Sequence, residues 1–138
     1  MAKTFQEINA YREKNEQFLE ENAQQPEIGI LSSGVQYQIL KQGKGARPSG
    51  KDKVLVHYCG KLINGKEFDN SFKRKKPETF RVNQLIKGFQ DALKAMNVGS
   101  RWMVWIPYPL GYGATDCGKD IPAYSTLVFE IELLDIRK

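Results

Sequence analysis

A chain of 138 residues, 41% apolar and 11% aromatic, holds enough hydrophobic side chains for one core and predicts a single domain with a short appendage. Its 21 basic residues against 16 acidic ones leave a net charge of +5, too mild and too evenly spread an excess to single out nucleic acid as a partner. There is no run of about 18 apolar residues and no leader-like apolar stretch, so no membrane association is expected and the chain reads as cytoplasmic, or periplasmic if a leader has been removed.

Residues 2–24 are rich in Glu, Gln, Asn and Lys, and set Phe5, Ile8, Tyr11, Phe18 and Leu19 on one helical stripe. The stripe is thin and broken around Lys14-Asn15-Glu16. Such a helix is too weak to stand alone in water and is expected to dock, on the domain or on a second chain. Pro26 ends it, because proline disfavours helical geometry in the residue before it. A link through Gly29 and Ser32-Ser33-Gly34 follows, so residues 1–28 read as helix and linker and residues 29–138 as the domain.

From Val35 the period becomes two: Val35, Tyr37 and Ile39 alternate with Gln36 and Gln38, the pattern of a half-buried strand. A Gly/Pro loop leads to a second strand with Val54, Val56 and Tyr58 on one face and Leu55, His57 and Cys59 on the other. Asn64-Gly65 signals a two-residue hairpin that returns Phe68-Asp69 antiparallel beside Tyr58. The basic run Lys73-Arg74-Lys75-Lys76 reads as a solvated loop, and Phe80-Arg81-Val82 as a short strand. In residues 88–97, Phe89, Ala92, Leu93 and Met96 form one apolar helical face suited to covering a sheet. Strands are expected over residues 101–106 and 126–136, separated by a long Gly/Pro-punctuated loop that carries Tyr112. The total is α+β: five or six mostly antiparallel strands wrapped on one short helix, preceded by the N-terminal helix.

The chain contains no His-Glu-x-x-His, no Cys-x-x-Cys and no phosphate-binding glycine loop, and its one histidine, His57, sits on the strand face opposite Tyr58. No metal or cofactor is expected, and Cys59 and Cys117 are expected as free thiols. Residues of this kind suit a reaction that needs an apolar enclosure and a few placed hydrogen-bonding groups rather than a nucleophile. Prolyl cis/trans isomerisation is such a reaction: its barrier of about 18–20 kcal/mol comes from amide resonance, which a site favouring the twisted imide reduces.

Val56-His57-Tyr58, Gly60, Gly65 and Phe68-Asp69, then Leu85-Ile86-Lys87-Gly88-Phe89, Gly99, Gly111-Tyr112-Gly113, Ile121-Pro122 and Ser125-Thr126-Leu127-Val128-Phe129 resemble the ordered motif set of the FKBP-type peptidyl-prolyl isomerases. The likeness runs over residues 52–136. Residues 18–40 further resemble the macrophage-infectivity-potentiator-like bacterial branch, whose members place a helix ahead of the catalytic domain. The resemblance implies a sheet curled around a short helix with a proline pocket between them. It implies Tyr58, Phe68 and Phe129 as walls, Phe89 as floor, Leu85 and Ile121 as further substrate contacts, the Ile86 N–H and the Tyr112 hydroxyl as donors to substrate carbonyls, and Asp69 held against Tyr58. Substrates are then proline-containing polypeptides, and the family's macrolide inhibitors, tacrolimus and rapamycin, become candidate ligands.

Four residues depart from the family pattern. Phe89 stands where tryptophan is usual, Glu78 at a position often aromatic, and Cys117 and Asp120 where imidazole-bearing and apolar residues are common. Turnover is expected to survive these changes; they bear on macrolide affinity. Taken singly, each feature also has a plainer reading: Tyr58, Phe68, Phe89 and Phe129 as core aromatics, Tyr112 as a turn residue, Asp69 as a turn cap. Two functions follow, an active isomerase assisting protein folding or a non-catalytic module that grips peptides in the same pocket. The appended helix is expected to serve whole-protein substrates, through a monomer or a weak homodimer, rather than the reaction on a short peptide.

Overall fold

Alternation along Lys53–Lys61 buries Val54, Val56 and Tyr58 and turns the intervening side chains outward, and this strand is the centre of the molecule. The computed structural model describes residues 3–137, so Ala2, the first residue of the expected helical stretch, lies outside the described residues. In chain order the elements are α1 (Phe5–Ala23), β1 (Gly29–Ile30), β2 (Gln36–Lys41), β3 (Lys53–Lys61), β4 (Glu67–Asn70), α2 (Ser71–Arg74), β5 (Glu78–Arg81), α3 (Lys87–Ala95), β6 (Arg101–Ile106) and β7 (Leu127–Arg137). Short 3-10 turns lie at Val82–Gln84 and Tyr108–Leu110.

All the strand pairings are antiparallel, in the order β1-β2-β6-β7-β3-β4, with β5 also pairing β3. The class is the expected α+β. The described residues form seven strands rather than five or six, because Gly29, expected in the link, and Ile30 pair with Tyr37 and Gln36. The inner face of β3, β6 and β7 packs against Phe89, Ala92 and Leu93 of α3, with Leu93, Ile106, Leu127, Ile131 and Leu133 fully buried. Deleting one of these leucines to alanine is the kind of change that costs about 2–5 kcal/mol.

The hairpin after β3 differs from the expected two-residue turn. The Gly65 N–H donates to the Leu62 carbonyl at 3.0 Å, and the Leu62 N–H to the Lys66 carbonyl at 2.9 Å. Only Gly65, at φ 87°, is left-handed there, while Asn64 is not. An Asn-Gly pair in a two-residue turn needs both residues left-handed; here an ordinary turn is closed by one glycine, a three-residue connection, and the register shifts separately, between Gly60 and Lys61.

The docking of α1 also departs from its sequence pattern. Thr4 caps its start by accepting from the Glu7 N–H at 3.1 Å. Phe5, counted in the apolar stripe, is 79% exposed, whereas Asn15 and Asn22 are 1% and 6% exposed. Asn15, placed where the stripe is broken, accepts from the Thr126 N–H and donates to the Tyr11 carbonyl, both at 2.8 Å. Asn22 donates to Gln36 Oε1 at 2.8 Å, and Gln36 donates to the Leu19 carbonyl at 2.9 Å. Gln36, expected on the polar side of β2, is thus buried beneath the helix, while Ile39 is 46% exposed. A fully paired amide is as acceptable in an interior as an apolar group, so the helix docks on its own domain through polar side chains.

Candidate active site

Tyr58 projects from the inward face of β3, and its backbone is fixed by the buried Ser71, whose Oγ accepts from the Tyr58 N–H at 2.7 Å. Near the end of β3, Gly60 lies opposite Asp69 on one side and Phe129 on the other. Those two registers bring three distant segments together. Phe68 meets Phe129 edge-on at 5.6 Å, Phe129 meets Phe89 at 5.1 Å, and Phe89 meets Tyr58 at 6.1 Å, all near perpendicular. Edge-to-face rings at these separations are mutually attractive, so the walls hold one another in place.

They enclose a cleft of about 430 Å³ lined by Tyr58, Phe68, Asp69, Phe80, Gln84, Leu85, Ile86, Phe89, Tyr112 and Phe129. Two larger grooves, of about 590 and 610 Å³, run along α1, but neither gathers these rings. Among the expected site residues, only Ile121 stands apart from the cleft. It is 6% exposed within the core and accepts from the Cys117 N–H at 2.8 Å, closing the loop after Tyr112.

On one rim, Tyr58 donates its hydroxyl to Asp69 Oδ2 at 2.5 Å, and Arg74 Nη1 holds Asp69 Oδ1 at 2.5 Å. The Arg74 guanidinium lies 5.9 Å from the Tyr58 ring centre. Burial and the bond to Asp69 push the Tyr58 phenol up to about 12, so it is a neutral donor. Burial alone would raise the Asp69 carboxyl, but the hydrogen bonds from Tyr58 and Arg74 win and hold it below its ordinary value of 3.8. Also lining the cleft, Tyr112 has its phenol raised by burial and then by the neighbouring Cys117 and Asp69, which keeps it protonated and able to donate. Ile86 ends the connection into α3, and the carbonyl of the Leu85-Ile86 peptide accepts from Gln90 Nε2 at 2.6 Å. Gln90 thereby fixes the plane of the peptide that carries the Ile86 N–H.

Arg74, Phe80 and Gln90 are not among the site residues expected from the sequence. Arg74 was hidden in the basic run, but α2, capped by Asn70 accepting from the Lys73 N–H, folds that run back over Asp69. The basic run is therefore not simply a solvated loop. Phe80, not Glu78, faces Tyr58, at 5.8 Å between ring centres. Glu78, at the position often aromatic and two residues away on the same strand face, instead lies 3.8 Å from Arg74, and the cleft keeps an aromatic ring from this strand in Phe80. The i,i+2 spacing of Glu78 and Phe80 carried that signal. His57 is turned away from the cleft, bonded to Ser71 Oγ at 2.8 Å and stacked on Phe72. Cys59 and Cys117 are free thiols, and no helix among the described residues is long and apolar enough to cross a membrane.

The sequence pattern of FKBP-type peptidyl-prolyl cis-trans isomerases matches residues 44–134, and that of the domain amino terminal to FKBP-type peptidyl-prolyl isomerase matches residues 1–39. The FKBP-type 22 kDa peptidyl-prolyl cis-trans isomerase of Escherichia coli is 46% identical, over 95% of this chain and 64% of its own length. The macrophage infectivity potentiator of Trypanosoma cruzi is also 46% identical, over 94% of this chain and 67% of its own length. The crystal structure of FkpA from Escherichia coli superposes with a TM-score of 0.90 at 38% identity, over 96% of this chain and 62% of that one. The chain thus spans less than two thirds of the Escherichia coli isomerase and of FkpA. Matching in sequence and in fold over nearly its whole length, the chain belongs to the FKBP-type peptidyl-prolyl cis-trans isomerase family.

Proposed function

We propose that the protein accelerates cis/trans isomerisation of Xaa-Pro bonds in unfolded or flexible polypeptides. The observation that carries this reading is the aromatic cleft that holds the bonded Tyr58–Asp69–Arg74 group and Tyr112 at its edge. A proline ring placed between Phe68, Phe80 and Phe129 over Phe89 leaves water, and with it the solvation that favours the planar, polar amide. As the imide twists it loses resonance and charge separation, so the apolar enclosure favours the twisted form over the planar one. The Ile86 N–H and the Tyr112 hydroxyl hold the flanking carbonyls while rotation proceeds, and the exposed edge of Asp69 meets the twisted carbonyl. No covalent intermediate forms. Lowering a barrier of about 18–20 kcal/mol by about 7 kcal/mol corresponds to about five powers of ten in rate.

The family likeness extends the reading to macrolides such as tacrolimus and rapamycin as occupants of the same cleft. Exchange NMR or a protease-coupled assay on a short Xaa-Pro peptide tests the main proposal. Binding of the peptide without faster exchange overturns it in favour of a non-catalytic module. Within that assay, Tyr112→Phe is expected to cost no more than about tenfold in kcat/KM, the worth of one neutral hydrogen bond of about 0.5–1.5 kcal/mol. A loss of about a thousandfold would give Tyr112 a role beyond donating one bond.

Turnover is also expected to be level between about pH 5 and 9, because Tyr58 and Tyr112 are raised phenols and Asp69 is a lowered carboxyl. The sign for Asp69 follows from its depressed value. In the folded enzyme the carboxylate persists until pH falls through that lowered value, and the stability it lends is complete above the unfolded value and lost over the same fall. A bell-shaped profile centred near neutrality would contradict this.

A further inference from the structure

Helix α1 reaches the loop between β6 and β7 at both of its ends. Arg12 lies 5.1 Å from the ring centre of Tyr124 and 6.0 Å from that of Tyr108, and those two rings meet edge-on at 4.9 Å. The same two residues brace Tyr112 through the glycine that follows it: the Gly113 N–H donates to the Tyr108 carbonyl, and the Tyr124 N–H donates to the Gly113 carbonyl, both at 2.9 Å. Tyr124 sits at φ 67°, a left-handed conformation that a tyrosine adopts only when its surroundings hold it there.

One residue further on, the loop is pinned again. Ser125 spends its single hydroxyl proton on the Pro122 carbonyl at 2.7 Å, so in the 2.7 Å contact between Tyr11 and Ser125 it is Tyr11 that donates. Asn15 then takes the Thr126 N–H immediately before β7 begins. Three residues of one helix, Tyr11, Arg12 and Asn15, therefore engage three successive residues, Tyr124, Ser125 and Thr126, across a sequence separation of more than a hundred residues.

We propose that Tyr11, Arg12 and Asn15 are positioning residues for the Tyr112 loop, so that the N-terminal helix takes part in the reaction on even a short peptide and not only in the handling of whole-protein substrates. The proposal rests on the reading of Tyr112 as a donor to substrate. Its physical content is that a loop punctuated by Gly111, Gly113 and Gly118 has many conformations to lose, and the helix removes them before the peptide arrives.

The test is a double-mutant cycle in the full chain: Arg12→Ala and Asn15→Ala, each alone and each combined with Tyr112→Phe, with kcat/KM on a short Xaa-Pro peptide as the readout. Each single variant is expected to lose about threefold to tenfold, and neither is expected to lose more than about twofold further in the Tyr112→Phe background. The Arg12 side chain is 42% exposed, so Arg12→Ala decides the matter if Asn15→Ala fails to fold. A loss in Tyr112→Phe alongside wild-type rates in the folded helix variants overturns the proposal alone. Equal losses with and without the Tyr112 hydroxyl overturn it too, by showing a general structural effect. An unchanged Tyr112→Phe removes the reading of Tyr112, and the proposal with it.

Discussion

Replacing Asp69 by leucine lowers kcat/KM on an Xaa-Pro peptide by about tenfold or more while leaving the domain folded. The expectation follows from what the carboxylate holds. It accepts the Tyr58 hydroxyl and the Arg74 guanidinium, each at 2.5 Å, and hydrogen bonds to a charged group are worth about 1.5–3 kcal/mol each. Asp69→Leu leaves the phenol and the guanidinium facing each other across an apolar side chain, so both move and the rim opens. The Asp69 side chain is 37% exposed, so little of the core depends on it. Asp69→Asn keeps an acceptor for Tyr58 but gives up the charge that holds Arg74, and is expected to fall between wild type and leucine. Thermal melts on the same three proteins separate site from fold: equal turnover in all three, with equal melting temperatures, would remove Asp69 from the site.

Gly60→Ala is expected to damage the cleft with a single added methyl group. A Cβ at this position would lie 2.6 Å from the Phe68 ring and 2.7 Å from the Phe129 ring, well inside contact distance. Both rings are walls of the cleft, and Phe129 is 5% exposed, so neither can turn aside without leaving its partner. Overpacking of this kind costs about 1–3 kcal/mol. Because the strain falls on the walls, turnover is expected to fall by about tenfold or more. A variant that melts and turns over like wild type would show that the rings yield freely and that the wall geometry is not critical.

Much of the fold was legible because its signals are local. Helix α3, expected over residues 88–97 and found at Lys87–Ala95, and strand β6 announce themselves by period, and β6 occupies the expected residues 101–106. The cleft was anticipated for a different reason, the resemblance to an ordered family motif set, and β3, β4 and β7 bring its Tyr58, Asp69 and Phe129 to one cleft. What escaped reading were residues whose role depends on where the chain returns. Asn15 and Asn22 look like interruptions of an apolar stripe until the partners of their amides, Thr126 and Gln36, arrive from distant parts of the chain. Arg74 looks like one of four solvated bases until α2 turns it over Asp69. The turn at Gly65 was misjudged because a dipeptide does not reveal how many of its residues are left-handed. Polar side chains carry no periodic signature that separates a buried pair from a solvated one.

The place of β7 in the sheet has a consequence for biosynthesis. It is the last strand in chain order, yet it lies between β3 and β6 and pairs with both over most of its length. A nascent chain that has emerged only as far as Ser125 holds two central strands with open edges and a core missing Leu127, Phe129, Ile131 and Leu133. It also lacks the Thr126 amide to which Asn15 binds. Such a chain exposes apolar surface and unpaired edges of the kind that associate with neighbours on the ribosome. This fold is completed after most of its residues have been made, and until β7 arrives the protein belongs among the unfolded chains on which it is proposed to act.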